Sequence, residues 1–374
     1  MESSVRQFMH ALAHADNTQT FTDEVTLRVG AGDLDWIGAL GAAIVGATGS
    51  EAWQYRSVYD HLQRALAKSP GRNTVRQLLR LPLALRPGGP GEEFRTRHLA
   101  MELAYHQSAE DLACEVFEAA PGQDVPYELR ACLLHELVQR PVPVDEHPAL
   151  RSFAATLTAD GHPLAQLPCH LVPLEQVERD PSWFPMGPVS RVPKEPLITT
   201  PAARRRAAGT KVTEVDDWEQ DIAMNTVVED WRTSSNGRVT AHVFTVEPAL
   251  DRGDFGALFS RLPLACRRDA PELWTTTAGT VLGILRAAAS GGGAYTLGSF
   301  GAYGRLAAWQ SLAGLVGLPA HTPLPETARR AEQTHWYLFD TEADWFEAVA
   351  WDIAIAALRP GAQEIAVLAA TDTD

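Results

Sequence analysis

Four residues in the last third of the chain are of the types from which acid–base chemistry is built: Arg305, His335, Asp340 and Asp352. Asp352 stands in the run Trp345-Phe346-Glu347-Ala348-Val349-Ala350-Trp351-Asp352-Ile353, which at helical spacing is apolar on nearly every side. A helix of that kind over 344–357 must be buried. A carboxylate within it is costly unless it is hydrogen-bonded, paired or protonated, so Asp352 is either a catalytic acid or base or the structural partner of a cation. Arg305 is the cation the sequence offers: it is the only charge in a predicted helix over 302–316, with Trp309 four residues on to stack against its guanidinium. A buried Arg305–Asp352 pair is the expected structural arrangement. Two separated groups would suit a catalytic site.

The segment Ser290-Gly291-Gly292-Gly293-Ala294-Tyr295-Thr296-Leu297-Gly298 precedes that helix. Backbone N–H groups at a helix start favour anions, which makes Gly292 and Gly293 candidate ligand-binding positions, with Tyr295, Tyr303, Trp309 and Trp345 as aromatic walls. Neither GxxxxGK[ST] nor GxGxxG after a strand is present, so no nucleotide motif is complete and no cofactor is named. Glycines at 298, 301 and 304 more often allow tight turning or close packing than they build an anion site.

Metal chemistry finds less support, and no metal site is expected. His98, Glu102 and His106 share one helical stripe, but i to i+8 spans about 12 Å, too far for one ion to reach all three. His135-Glu136 begins like HExxH and then has Gln139 in place of the second histidine. Cys114, Cys132, Cys169 and Cys266 are scattered, with no CxxC pair, and read as reduced thiols. Asp340, Asp344, Asp372 and Asp374 are expected at solvated strand, helix or chain ends.

The elements that must carry these residues fall into three stretches. Residues 1–170 show helical periodicity broken by Pro and Gly, for example Trp53, Val58, Leu62, Ala65 and Leu66, and predict a helical bundle or an irregular helical repeat. Asn73 and the Ser108–Asp111 pair are expected helix caps. Residues 171–210 hold seven prolines and read as a linker laid over a domain surface through Trp183-Phe184, with Arg204-Arg205-Arg206 near the end as a solvated charge run. Residues 211–374 mix strands at 238–246, 335–339 and 364–368 with helices near 217–231, 254–261, 276–289, 302–316 and 344–357. The whole is an α+β, mostly helical fold: an all-α N-terminal domain and a small sheet packed with helices.

Three runs resemble an uncharacterised actinobacterial family, a domain of unknown function: Gly301-Ala302-Tyr303-Gly304-Arg305-Leu306-Ala307-Ala308-Trp309, Asp344-Trp345-Phe346-Glu347-Ala348-Val349-Ala350-Trp351-Asp352-Ile353, and Leu368-Ala369-Ala370-Thr371-Asp372-Thr373-Asp374. The resemblance is most specific over 230–374 and implies a bacterial origin without bringing an activity or a site residue.

The 374 residues carry 32 Lys and Arg against 47 Asp and Glu, a net charge of −15, which disfavours nucleic acid and anionic membrane surfaces as partners. The first seventeen residues lack the basic start and apolar core of a signal peptide, and no apolar run reaches about 18 residues, so a cytoplasmic location is expected. Three functions remain: a protein-interaction or adaptor module, an enzyme with its pocket near Arg305 and Asp352, or a small-molecule-binding protein using the aromatic walls. An enzyme or sensor requires Arg305 and Asp352 to open onto a cavity. An adaptor requires them to be satisfied internally and an apolar patch to be exposed.

Overall fold

The computed structural model describes residues 2–47, 53–82, 85, 91–118, 125–140, 142–176, 195–266, 271–340, 345–346 and 351–373, except for the side chains of residues 2 and 351. Contacts divide the chain into two compact units, Met1–Ala165 and Gln166–Asp374. The fold is α+β and mostly helical, as the periodicities predict.

The first unit is built from helices. Helices α1 (Glu2–Ala13), α2 (Gln19–Gly30), α3 (Leu34–Gly46) and α4 (Trp53–Lys68) precede α5 (Arg72–Leu79), α6 (Glu92–His106), α7 (Ala109–Leu112), α8 (Tyr127–Val138) and α9 (Pro148–Ala159). Helix α4 packs between α2 and α6, and α6 against α8. The expected cap at Ser108 is present: its hydroxyl oxygen accepts from the Asp111 N–H at 3.1 Å while its O–H donates to the Asp111 carboxylate. Asn73 is not a cap. Helix α5 begins one residue earlier, at Arg72, after Gly71 with φ 134°, a conformation that suits glycine. The carboxylate of buried Glu115 accepts from Arg72 and Arg76 and ties α5 to the turn after α7.

Among its described residues the second unit is organised by a seven-stranded antiparallel sheet and also holds helices α10 (Pro173–Gln176), α11 (Pro201–Ala208), α12 (Trp218–Asn225), α13 (Glu229–Ser234) and α14 (Phe255–Phe259). Its strands are β1 (Glu195–Pro196), β2 (Lys211–Val215), β3 (Arg238–Glu247), β4 (Glu272–Thr276), β5 (His335–Asp340), β6 (Trp351–Leu358) and β7 (Glu364–Asp372), in the spatial order β1-β4-β5-β6-β7-β3-β2. One face carries Phe244, Val246, Leu273, Tyr337, Phe339, Ala356, Leu358, Ile365 and Val367. These pack against α11 (Pro201–Ala208) and α14 (Phe255–Phe259) in one core, with Phe255 stacked on Tyr337 at 3.8 Å. Helices α15 (Ala278–Gly291) and α16 (Phe300–Leu315) pack on each other and contribute nothing to that core.

Two expectations are corrected. The helix foreseen over 344–357 is strand β6 from Trp351 on, while 344 and 347–350 lie outside the described residues. A central strand is covered on both faces, so it is apolar all round and shows no alternation to distinguish it from a buried helix.

The segment foreseen as a linker is also built into the fold where it is described. Pro173 opens the short helix α10 (Pro173–Gln176), Pro196 lies in edge strand β1, and Pro201 opens α11, whose Thr200 cap accepts from the Ala203 N–H. Each proline sits where a missing N–H costs nothing. Arg206, from the run foreseen as solvated charge, forms a two-pronged bond to the buried Asp254 at 2.8 and 2.5 Å. Trp183 and Phe184 fall outside the described residues.

Candidate functional site

Arg305 does not pair with Asp352. It is fully buried on α16 and donates to Glu175 of α10 through Nε (2.6 Å) and Nη2 (2.8 Å), and to the carbonyls of Pro168 (3.0 Å) and His170 (2.9 Å). Trp309 does not stack on the guanidinium as foreseen. Its indole N–H donates to Glu175 Oε1 at 3.0 Å, and the Val172 N–H donates to Oε2. Burial pushes the Glu175 carboxyl up, but the bonds from Arg305, Trp309 and Val172 outweigh it and hold the group below the ordinary range. The cavity beside this network, lined by Leu174, Leu282, Arg286 and Ala308 among others, measures about 10 Å³, room for about one water. The geometry is that of a satisfied structural ion pair.

The glycine segment is likewise consumed by the fold. Gly293 N–H donates to Thr296 Oγ1 and Ala294 N–H to Asp372 Oδ2, and Gly292 and Gly298 take φ of 75° and 61°. Asp372, foreseen at a solvated end, is 1% exposed and also accepts from the Ser235 hydroxyl and the Thr373 N–H. Tyr295 is 60% exposed, Tyr303 half-buried and Trp309 buried. His335 and Asp340 occupy opposite ends of β5, paired with Leu358 and Glu272 respectively. Burial, aided by the nearby Arg252 charge, lowers the His335 pKa and favours its neutral form. Asp344 and Asp374 lie outside the described residues.

Asp352 belongs to a different neighbourhood. Strand alternation places it on the face that carries Phe244 and Tyr337, in the cross-strand row Arg238–Thr371–Asp352 over β3, β7 and β6. The next row on that face is Thr240–Ala369–Ala354 and the one after is His242–Val367–Ala356. Trp345 packs against the same core, with the Arg238 guanidinium 6.0 Å from its ring centre. Thr240 Oγ1 lies 2.6 Å from His242 Nε2, and His242 Nδ1 lies 2.6 Å from Glu214 Oε1 on β2. The imidazole is also stacked at 5.8 Å on Phe244. Thr240 and His242 fall in a strand legible from sequence, but Glu214 is brought beside them only by the β2–β3 pairing, which no hydrophobic run announced.

Beyond β2 lies helix α12 (Trp218–Asn225), capped by Asp217, whose Oδ1 accepts the Gln220 N–H. Its inner face is fixed by Ala223 and Met224, and Ser311 of α16 donates to the Met224 carbonyl. Its outer face presents Trp218 (66% exposed) and Ile222 (60%), four residues apart and hence one above the other. Around them stand Glu214, Asp216, Asp217, Glu219 and Asp221, with no basic residue between Lys211 and Arg232. Burial and the neighbouring Asp217, Asp216 and Glu214 carboxylates push the Asp221 carboxyl up against the opposing pull of His242.

Among the described residues no helix is long and apolar enough to cross a membrane. His98 and His106 each approach the buried Glu102 at 3.3 Å, with Lys68 at 3.2 Å, so the stripe foreseen on α6 is centred on one carboxylate. No curated protein and no solved structure matches the chain. Residues 19–374 match the Family of unknown function (DUF6183), across the helical unit as well as the sheet, and the chain belongs to that family.

Proposed function

We propose that this protein is an interaction module that docks a basic, amphipathic protein segment on the outer face of α12. The observation that carries the reading is the Trp218–Ile222 stripe, exposed at i and i+4 in a stretch of sequence whose charged residues from 212 to 231 are all acidic. An apolar pair at helical spacing fits the apolar face of a partner helix, and Lys or Arg at its rim would relieve the crowding of carboxylates around Asp221. Arg305, the residue an enzymatic pocket in this unit would have used, is spent on Glu175, which also favours an interaction role. The four cysteines are free, which suits a reducing compartment such as the cytoplasm.

The test is fluorescence anisotropy with a dye-labelled amphipathic peptide of Lys and Leu at helical spacing. Salt-sensitive binding by the native protein, weakened about tenfold or more in Trp218→Ala/Ile222→Ala, is expected. Equal affinity of the native and double-variant proteins would show that the peptide follows net charge alone and would overturn the reading.

A further inference from the structure

The geometry points to a second, chemical capacity on the sheet: Thr240 is a nucleophile activated by His242 and oriented through Glu214, suited to accepting a short acyl group from an activated ester. A carboxylate can only accept a hydrogen bond, so at 2.6 Å Glu214 Oε1 requires the proton on His242 Nδ1. When the imidazole is neutral, Nε2 is then a bare acceptor and the Thr240 hydroxyl 2.6 Å away donates to it. Hydroxyl, imidazole and carboxylate thus stand in the order that defines an activated alcohol, recognisable by geometry and not by sequence position.

Four features make this more than a surface hydrogen-bond chain. Thr240 and His242 lie on one face of β3, which is paired over 238–245 with β7 and over 243–247 with β2, so the dyad is held by a sheet and not by a loop. Phe244 stacks on the imidazole and restricts its rotation. Beside Thr240 the cross-strand positions are Ala369, fully buried, and Ala354, half-buried, so the Ala354 methyl is the apolar surface on offer to a short aliphatic acyl chain. Arg238 places a guanidinium on the same face two residues earlier.

In the step proposed, Thr240 Oγ attacks the carbonyl carbon of the ester while its proton passes to His242 Nε2. The bond to the leaving alkoxide breaks, that oxygen takes the proton from Nε2, and the acyl group remains as an ester of Thr240. Water then attacks this ester with His242 again taking the proton, which releases the carboxylic acid and restores the hydroxyl. Glu214 is a positioning residue.

The experiment is intact-mass and peptide-mass analysis of the full chain after exposure to p-nitrophenyl acetate, with nitrophenolate release followed in parallel. A burst of nitrophenolate with one acetyl group on the peptide containing Thr240 is expected. It should be lost in Thr240→Val, retained in Thr240→Ser, and slowed by about tenfold or more in His242→Gln and Glu214→Gln. Thermal melts of each variant separate loss of chemistry from loss of fold. Absence of acetylation in the folded native protein would overturn the proposal. So would a burst that persists in Thr240→Val, or an acetyl group found on Lys211 or another residue.

Discussion

Arg305 on α16 and Glu175 on α10, 130 positions apart in sequence, form a two-pronged ion pair in which both side chains are almost wholly withdrawn from solvent. The pair anchors a proline-initiated turn of helix onto the α15–α16 layer. Its charges are balanced within one network: the guanidinium makes four bonds to the carboxylate and two carbonyls, and the carboxylate takes two more from Trp309 and Val172.

Breaking this pair from one side leaves a charge alone in the interior. Glu175→Gln or Arg305→Met is expected to destabilise the second unit by about 3–5 kcal/mol. At roughly 2–4 °C per kcal/mol for a unit of this size, calorimetry resolves the loss easily. The double variant Glu175→Leu/Arg305→Met should recover the part due to the lone charge, but not the part due to the Trp309 and Val172 N–H groups and the two carbonyls that lose their partners. Additive losses in the double variant would show that the pair acts through something other than its charges.

Acid should destabilise the fold through the same carboxylate. Glu175 is held low despite burial, and Glu115 is held low by Arg76 and Arg72 against a smaller effect of burial. A carboxyl whose folded pKa lies below its unfolded value adds stability above the unfolded pKa and loses it as the pH falls toward the folded one. Urea midpoints are therefore expected to fall from about pH 6 to about pH 3, and Glu175→Gln should flatten that slope. Asp60 and Asp221, both raised chiefly by burial, act in the opposite sense and temper the effect.

Gly293 is required by space. A Cβ there would lie 1.9 Å from Asp372 Oδ2 and 3.0 Å from the Trp231 ring, whereas one at Gly30, the last residue of α2, meets nothing within 4 Å. Gly293→Ala should cost about 1–3 kcal/mol in chemical denaturation, while Gly30→Ala should be neutral or slightly stabilising.

Arg359 closes the other end of α16. It is 2% exposed and donates to the Gly314 and Leu315 carbonyls, Gln220 Oε1 and Glu364 Oε2. Arg359→Leu leaves two helix-end carbonyls without this donor and is expected to lose about 2–4 kcal/mol and to raise hydrogen exchange over the last turn of α16 and over α12. Unchanged exchange there would show that α12 is held by Ala223 and Met224 alone.

The sequence by itself determined the helical first unit, strands β3, β5 and β7, and helices α15 and α16, because each carries a local period or a cap whose physics acts within a few residues. It marks Arg305 as a charge that burial forces into a pair, and Arg305 is buried against Glu175. Tertiary structure decided which acid answered it. Asp352 stood in an apolar run and Glu175 in a proline-rich one, and nothing local distinguishes a buried carboxylate from a solvated one until the chain has closed over it. The same holds for β6, whose two-sided burial removes the alternation that names a strand. It holds also for Glu214, His242 and Thr240, which meet because antiparallel pairing sets Glu214 opposite Phe244, next to His242 on the same face. Long-range pairing is a choice among many partners of similar local merit, and only the packed fold makes it.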